Sequence, residues 1–235
     1  MSARTGVVEE LGRMVVSRPE TEPALPIEPE LCEQFGITRG VLREAMKSLV
    51  GKGLIEMKPR AGTRVRPRRL WNHLDPDVLR WTSEFDGERT IVELNELRRA
   101  IEPTAAALAA LHAGPEQLSL IWRHFFQMED AAERRDLAAF VDADALFHEA
   151  VLDAGGNEMF RSLGHAVDAV LRKSFTVTAA TIEDVTPSLP LHREVAASIS
   201  GSSPAEAADA MRTVVGATVR RIGQDRQGLN TVVEG

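Results

Sequence analysis

The stretch from Thr38 to Arg66 restricts the fold more than any other part of the chain. At about 100° per residue, Val41, Leu42, Ala45, Met46 and Leu49 share one arc of a helix that Thr38 is suited to cap and that runs to about Lys52. Arg39, Arg43 and Lys47 recur every four residues and form a single stripe outside that arc. Directly after it, Leu54 to Lys58 and Thr63 to Arg66 read as two short strands around the turn Pro59-Arg60-Ala61-Gly62. A shorter helix from Pro29 to Phe35, closed by Gly36, precedes the striped one. Helix, turn, helix and hairpin in that order predict a winged helix-turn-helix. Its first helix spans roughly Arg4 to Ser17, and the proline-rich stretch from Pro19 to Pro29 ends it.

Charge supports a polyanion partner for that unit. Residues 1–70 hold 13 Lys and Arg against 9 Asp and Glu, although the whole chain carries a formal net charge of −7. From Arg39 to Arg69 there are 10 basic residues opposed only by Glu44 and Glu56. Arginine pairs bidentately with guanine and also neutralises phosphate, so an apolar back and a basic front suit a major groove. Thr38, Arg39, Arg43 and Lys47 are therefore expected to meet DNA, with Lys58, Arg60 and Gly62 at the tip of the wing.

The remainder, residues 71–235, is expected to be an all-α antiparallel bundle, giving a mainly α protein divided at residue 70. Helical patterns fall at roughly 77–84, 88–112, 115–134, 136–153, 157–179, 189–200 and 204–223. Gly114-Pro115 and Gly155-Gly156-Asn157 separate them, and Ser203-Pro204-Ala205-Glu206 is a capping box. Asp144 and His148 stand four apart, so a carboxylate and an imidazole project from one face. His192 opens another helix. Such residues can meet on an ion or form surface pairs, and spacing alone does not choose. Trp122, Phe125 and Phe126 read as core, Cys32 as a small buried side chain, and His112, His124 and His165 as scattered. A single cysteine excludes a multi-cysteine zinc cluster. With no apolar run of membrane-spanning length and no apolar stretch from Met1 to Glu10, a cytoplasmic protein is expected.

At these residues a family resemblance emerges. Leu25-Pro26, Glu30-Leu31, Thr38-Arg39-Gly40-Val41-Leu42-Arg43-Glu44-Ala45 and Gly62-Thr63-Arg64-Val65 resemble the GntR family of bacterial regulators. The resemblance implies that Arg39 and Arg43 contact an operator. Pro29 stands where many members carry an arginine, which removes one backbone contact. Glu96-Leu97-Arg98, Glu102-Pro103, Asp144, Phe147-His148, Gly156-Asn157 and His192-Arg193-Glu194 are similar to the FadR subgroup, whose helical half binds a ligand. In that subgroup a divalent ion such as zinc sits on an Asp and three His. Here Asp144, His148 and His192 match, while Val214 takes the fourth place and shares an apolar face with Ala207 and Met211.

Three ligands with an open position can hold an ion, and the loss of the fourth can equally leave the site without one. Arg98 is suited to clamp a carboxylate, or to form an ion pair between the two halves. The run from Trp71 to Trp81 resembles the branch that represses D-galactonate catabolism, which implies a sugar acid or its breakdown product as effector. The expectation is a homodimeric repressor that binds a palindromic operator through its wing and recognition helix. A small carboxylate, held by Arg98, Asp144, His148 and His192, would release it. The alternative is a metal-dependent hydrolase or lyase built on the same Asp and His residues.

Overall fold

The computed structural model describes residues 3–58, 62–164 and 181–217. Two compact units divide after Asp86. In the first, α1 (Ala3–Val16), α2 (Glu28–Phe35) and α3 (Arg39–Gly51) precede the hairpin of β1 (Ile55–Lys58) and β2 (Gly62–Val65). The hairpin is antiparallel, with Ile55 opposite Val65 and Lys58 opposite Gly62. Arg60 lies outside the described residues.

Local chemistry explains these boundaries. Gly36 closes α2 in the left-handed region at φ +61, and Thr38 caps α3 by accepting a hydrogen bond from Val41 N at 3.4 Å. Leu42, Ala45, Met46 and Leu49 are buried, as the periodicity requires. They join Leu11, Val15, Leu31, Leu54 and Trp81 in one core. The proline-rich stretch does more than end α1. Leu25 N donates to Thr63 O and Val65 N donates to Pro23 O, so this segment lies along β2 as a further edge. An edge position suits it, because Pro23 and Pro26 have no N–H to donate.

A fourth helix, α4 (Pro76–Phe85), is capped by Asp75 and belongs to this same unit. The compact unit therefore continues beyond the boundary expected at residue 70. The reason is Trp81, which is fully buried against α1. A Cβ at Gly12 would stand 2.4 Å from its ring, so only glycine lets the indole close on that helix. Lys52 binds Asp75 at 2.7 Å and Asp77 at 2.8 Å, fastening the end of α3 to the start of α4.

Among its described residues, the regular secondary structure of the second unit is all helical. It contains α5 (Gly87–His112), α6 (Pro115–Glu133), α7 (Leu137–Ala154), α8 (158–164), α9 (Ile182–Val185), α10 (Leu189–Ser200) and α11 (204–217). Its core is built from Phe125, Met128, Phe140, Phe147, Val195, Ile199 and Met211, with alanines where helices approach closely. α5 and α10 pack on one another, and α5 also packs on α7. Val214 is buried in that core with Ala207 and Met211. Two aromatic and cysteine expectations are corrected. Phe126 is 53% exposed and stacks on the half-buried Trp122, leaving only Phe125 as true core, and Cys32 is half-buried because its short helix is amphipathic. His165 and the expected helical residues 165–179 and 218–223 lie outside the described residues.

Candidate functional site

Two groups of side chains carry chemistry, one on each unit. On the first, Thr38, Arg39, Arg43 and Lys47 are all exposed along α3. Arg43 keeps 68% of its side chain in solvent and meets Glu28 only at 3.6 Å. Lys47 binds Glu44 at 2.8 Å, and Lys58 binds Glu56 at 2.8 Å on the wing. Exposed pairs of this kind contribute roughly 0–1 kcal/mol, so an incoming phosphate exchanges them at little loss. Gly62 is exposed at φ +78, with open space where a side chain would stand. The backbone there can approach a groove closely.

The second group is buried inside the helical unit. Asp144 and His148 sit one turn apart on α7, Arg98 and Glu102 one turn apart on α5, and His192 near the start of α10. All five are at most 5% exposed. Arg98 Nε donates to Glu102 Oε1 at 2.6 Å, and Arg98 Nη2 reaches His148 Nε2 at 3.2 Å. Arg98 is thus paired within its own unit, which answers the expectation of an ion pair between halves. Glu102 is the residue that spacing does not single out. Its Oε2 comes within 2.7 Å of His148 Nδ1, close but out of line for a hydrogen bond. The cues to it in the sequence are its place one turn after Arg98 and its part in the family resemblance.

These contacts assign the histidine protons. A guanidinium only donates, so His148 Nε2 is an acceptor and its proton sits on Nδ1, facing Glu102. His192 Nδ1 lies 2.9 Å from Ser188 O, which can only accept, so His192 also carries its proton on Nδ1 when neutral. Its Nε2 lone pair then faces Asp144 Oδ1 at 3.1 Å. Asp144 is ionised. Burial alone would raise its pKa, but a hydrogen bond donated by His192 when its Nε2 carries a proton, with the positive charges of His148, His192 and Arg98, brings it to about 2. Glu102 behaves alike: burial opposes ionisation, and Arg98 and His148 outweigh it, giving about 2.

Two acceptor atoms facing one another at this distance require a proton or a cation between them. The donor set suits a cation, which would take the His148 Nε2 lone pair from its contact with Arg98 Nη2. Two ligand atoms on one zinc-like ion at about 2.0–2.2 Å stand roughly 3–3.5 Å apart. Asp144 and His192 already have that spacing, and His148 Nε2 lies 3.9 Å from Asp144 Oδ1. The three ligand atoms all fall within 4.8 Å of one another. Each histidine is also oriented from behind, His148 by the Glu102 carboxylate and His192 by the Ser188 carbonyl, as metal-binding histidines usually are. Arg98 Nη1 remains buried without a hydrogen-bond partner.

Comparison with known proteins matches both units. The family of bacterial regulatory proteins of gntR type matches residues 3–65, and the FCD domain matches residues 93–217. The galactonate operon transcriptional repressor of Escherichia coli (strain K12) is 36% identical over 200 residues, covering 84% of this chain and 86% of that one. A solved GntR structure from Streptococcus agalactiae superposes with a TM-score of 0.55 at 26% identity, across 92% of this chain and 99% of that one. The Listeria monocytogenes regulator Lar gives a TM-score of 0.65 over 95% and 98% of the two chains. Its identity is 15%, so that likeness is one of fold alone.

Proposed function

Because the chain belongs to the GntR family of bacterial regulators and carries an FCD domain, we propose that it represses a sugar-acid catabolic operon and is released by a small carboxylate bound in its helical unit. It is a transcriptional regulator and not an enzyme, as its family and relatives are, so the hydrolase or lyase alternative is not favoured. Operator DNA meets Arg39, Arg43 and Lys47 on α3, with Thr38 at the helix start and Lys58, Arg60 and Gly62 on the wing. A homodimer would place two such helices on a palindrome. Among the described residues no helix is long and apolar enough to cross a membrane, and work on DNA in the cytoplasm accords with that.

The observation that carries the effector reading is the buried cluster of Asp144, His148 and His192 beside Arg98, whose Nη1 has no partner. Two carboxylates, Asp144 and Glu102, are buried with one guanidinium, Arg98, and two histidines, His148 and His192. Buried charge without compensation is costly. A divalent ion on Asp144, His148 and His192 would add positive charge there, which a carboxylate effector would offset. When bound, such an ion supplies a positive centre for an oxygen of the effector. Arg98 holds its fork one side toward Glu102 and leaves Nη1 free to donate to the same carboxylate.

For release, the effector must bind more tightly to the arrangement of recognition helices that does not fit the operator. The test is a thermal-shift series with D-galactonate and other sugar acids, paired with metal analysis of the purified chain and of His148→Ala. We expect one divalent ion per chain in the native protein and a loss in the variant. A ligand at about 100 times its Kd adds about 2.7 kcal/mol to stability, an easily measured rise in melting temperature. Metal absent from both samples, and a flat thermal response to every acid, would end the proposal.

A further inference from the structure

Among the described residues, six buried side-chain atoms have no hydrogen-bond partner: Trp81 Nε1, Asn95 Oδ1, Arg98 Nη1, Glu102 Oε2, His148 Nδ1 and His192 Nε2. Trp81 belongs to the first unit. Four of the others lie in the cluster already described. Asn95 has no place in that account, yet it shares a helix with Arg98.

Asn95 is 5% exposed, and its Nδ2 donates to Ile91 O at 2.9 Å. That bond settles which end of the amide is free. Turning the amide over would set Oδ1 against a carbonyl oxygen, acceptor to acceptor. The unmet atom is therefore the oxygen, and it lacks a donor. A buried acceptor left so is costly, and such atoms in native proteins call for an explanation.

Its position supplies one. Asn95, Arg98 and Glu102 follow at intervals of three and four residues on the buried face of α5. The Cβ atoms of residues three apart on a helix stand about 5–6 Å from each other. That helix packs on α7 and α10, which carry Asp144, His148 and His192. Along one face, then, come an unmet acceptor, an unmet guanidinium nitrogen and the metal-type cluster.

We propose that Asn95 is a specificity-determining residue of the effector site, accepting a hydrogen bond from a hydroxyl of a ligand whose carboxylate is held by Arg98. The effector class is thereby a hydroxy acid, with its hydroxyl within a few carbons of the carboxylate. A plain carboxylate leaves Oδ1 buried and unmet. This inference rests on the effector reading above and adds the residue that tells one acid from another.

The experiment is isothermal titration of the full-length chain with D-galactonate and with hexanoate, which has the same carbon chain and no hydroxyls. Native protein and Asn95→Leu are compared, with the melting temperature of each free protein recorded. Native protein should prefer galactonate. In Asn95→Leu that preference should fall about tenfold, the effect of one lost hydrogen bond of about 1.4 kcal/mol, with hexanoate affinity unchanged. Leucine has nearly the shape of asparagine and no unmet oxygen, so the free variant should melt at the native temperature or above it. Galactonate bound equally well by both proteins overturns the role of Asn95 and leaves the effector reading intact. An equal loss for both acids, with a lowered melting temperature, assigns Asn95 to structure alone and also overturns it. Failure of the native protein to bind either acid overturns the effector reading, and this inference falls with it.

Discussion

Arg43 and Arg98 are the same residue in opposite circumstances. Arg43 keeps 68% of its side chain in water and touches one carboxylate at 3.6 Å, whereas Arg98 keeps 2% and is bound to Glu102 at 2.6 Å. DNA brings a row of negative charges to a surface, so cations that meet it are best left hydrated and weakly paired. Their affinity comes largely from ions released by the phosphates. A small acid enters a pocket one molecule at a time, and the guanidinium that meets it must be desolvated and oriented in advance. On the proposed reading, one arginine serves a partner by staying free. The other serves by being held.

The comparison is broken most forcefully at Glu102. Glu102→Ala leaves Arg98 buried beside an empty place and should destabilise the helical unit by about 3–5 kcal/mol in urea unfolding. A loss below about 1 kcal/mol would show that Arg98 does not depend on that carboxylate. A smaller effect is expected on the other unit. Arg39→Ala or Arg43→Ala should weaken specific operator binding by about 1–3 kcal/mol while stability stays within about 0.5 kcal/mol of native. A large stability change there would mean these arginines hold the fold. Smallest of all is Lys47→Ala, which on the proposed reading removes one phosphate contact. It should lower the slope of log affinity against log salt by about 1 and weaken all DNA sequences alike. Weakening confined to the specific operator would assign Lys47 to base reading instead.

Much of the first unit is legible in the order of its residues. The apolar arc of α3 is buried at Leu42, Ala45, Met46 and Leu49, and its basic stripe is exposed, because both follow from 3.6 residues per turn. The hairpin forms with its glycine at positive φ. Asp144 and His148 share a face for the same periodic reason. Glu102 carries the family likeness without standing out as a site residue, since a glutamate on an exposed helix face and one facing a buried arginine look alike in a linear sequence. Asn95 gives no signal at all, because polar residues on amphipathic helices ordinarily face water. Phe126 reads as core on hydrophobicity, but its neighbours Phe125 and Trp122 cover the inner positions.

What the chain determined by itself is whatever repeats over a few residues: where helices start, which side of each is apolar, and where a turn needs glycine. Those depend on local dihedral preference and on the helix period, and no distant residue is needed to settle them. Tertiary structure alone decided that His192 would arrive opposite Asp144 from a distant helix, that Pro23 to Leu25 would line β2, and that α4 would close on α1 around Gly12. Such meetings arise from the burial of whole apolar faces against one another. That burial is non-directional and leaves no spacing in the sequence from which the partner can be read.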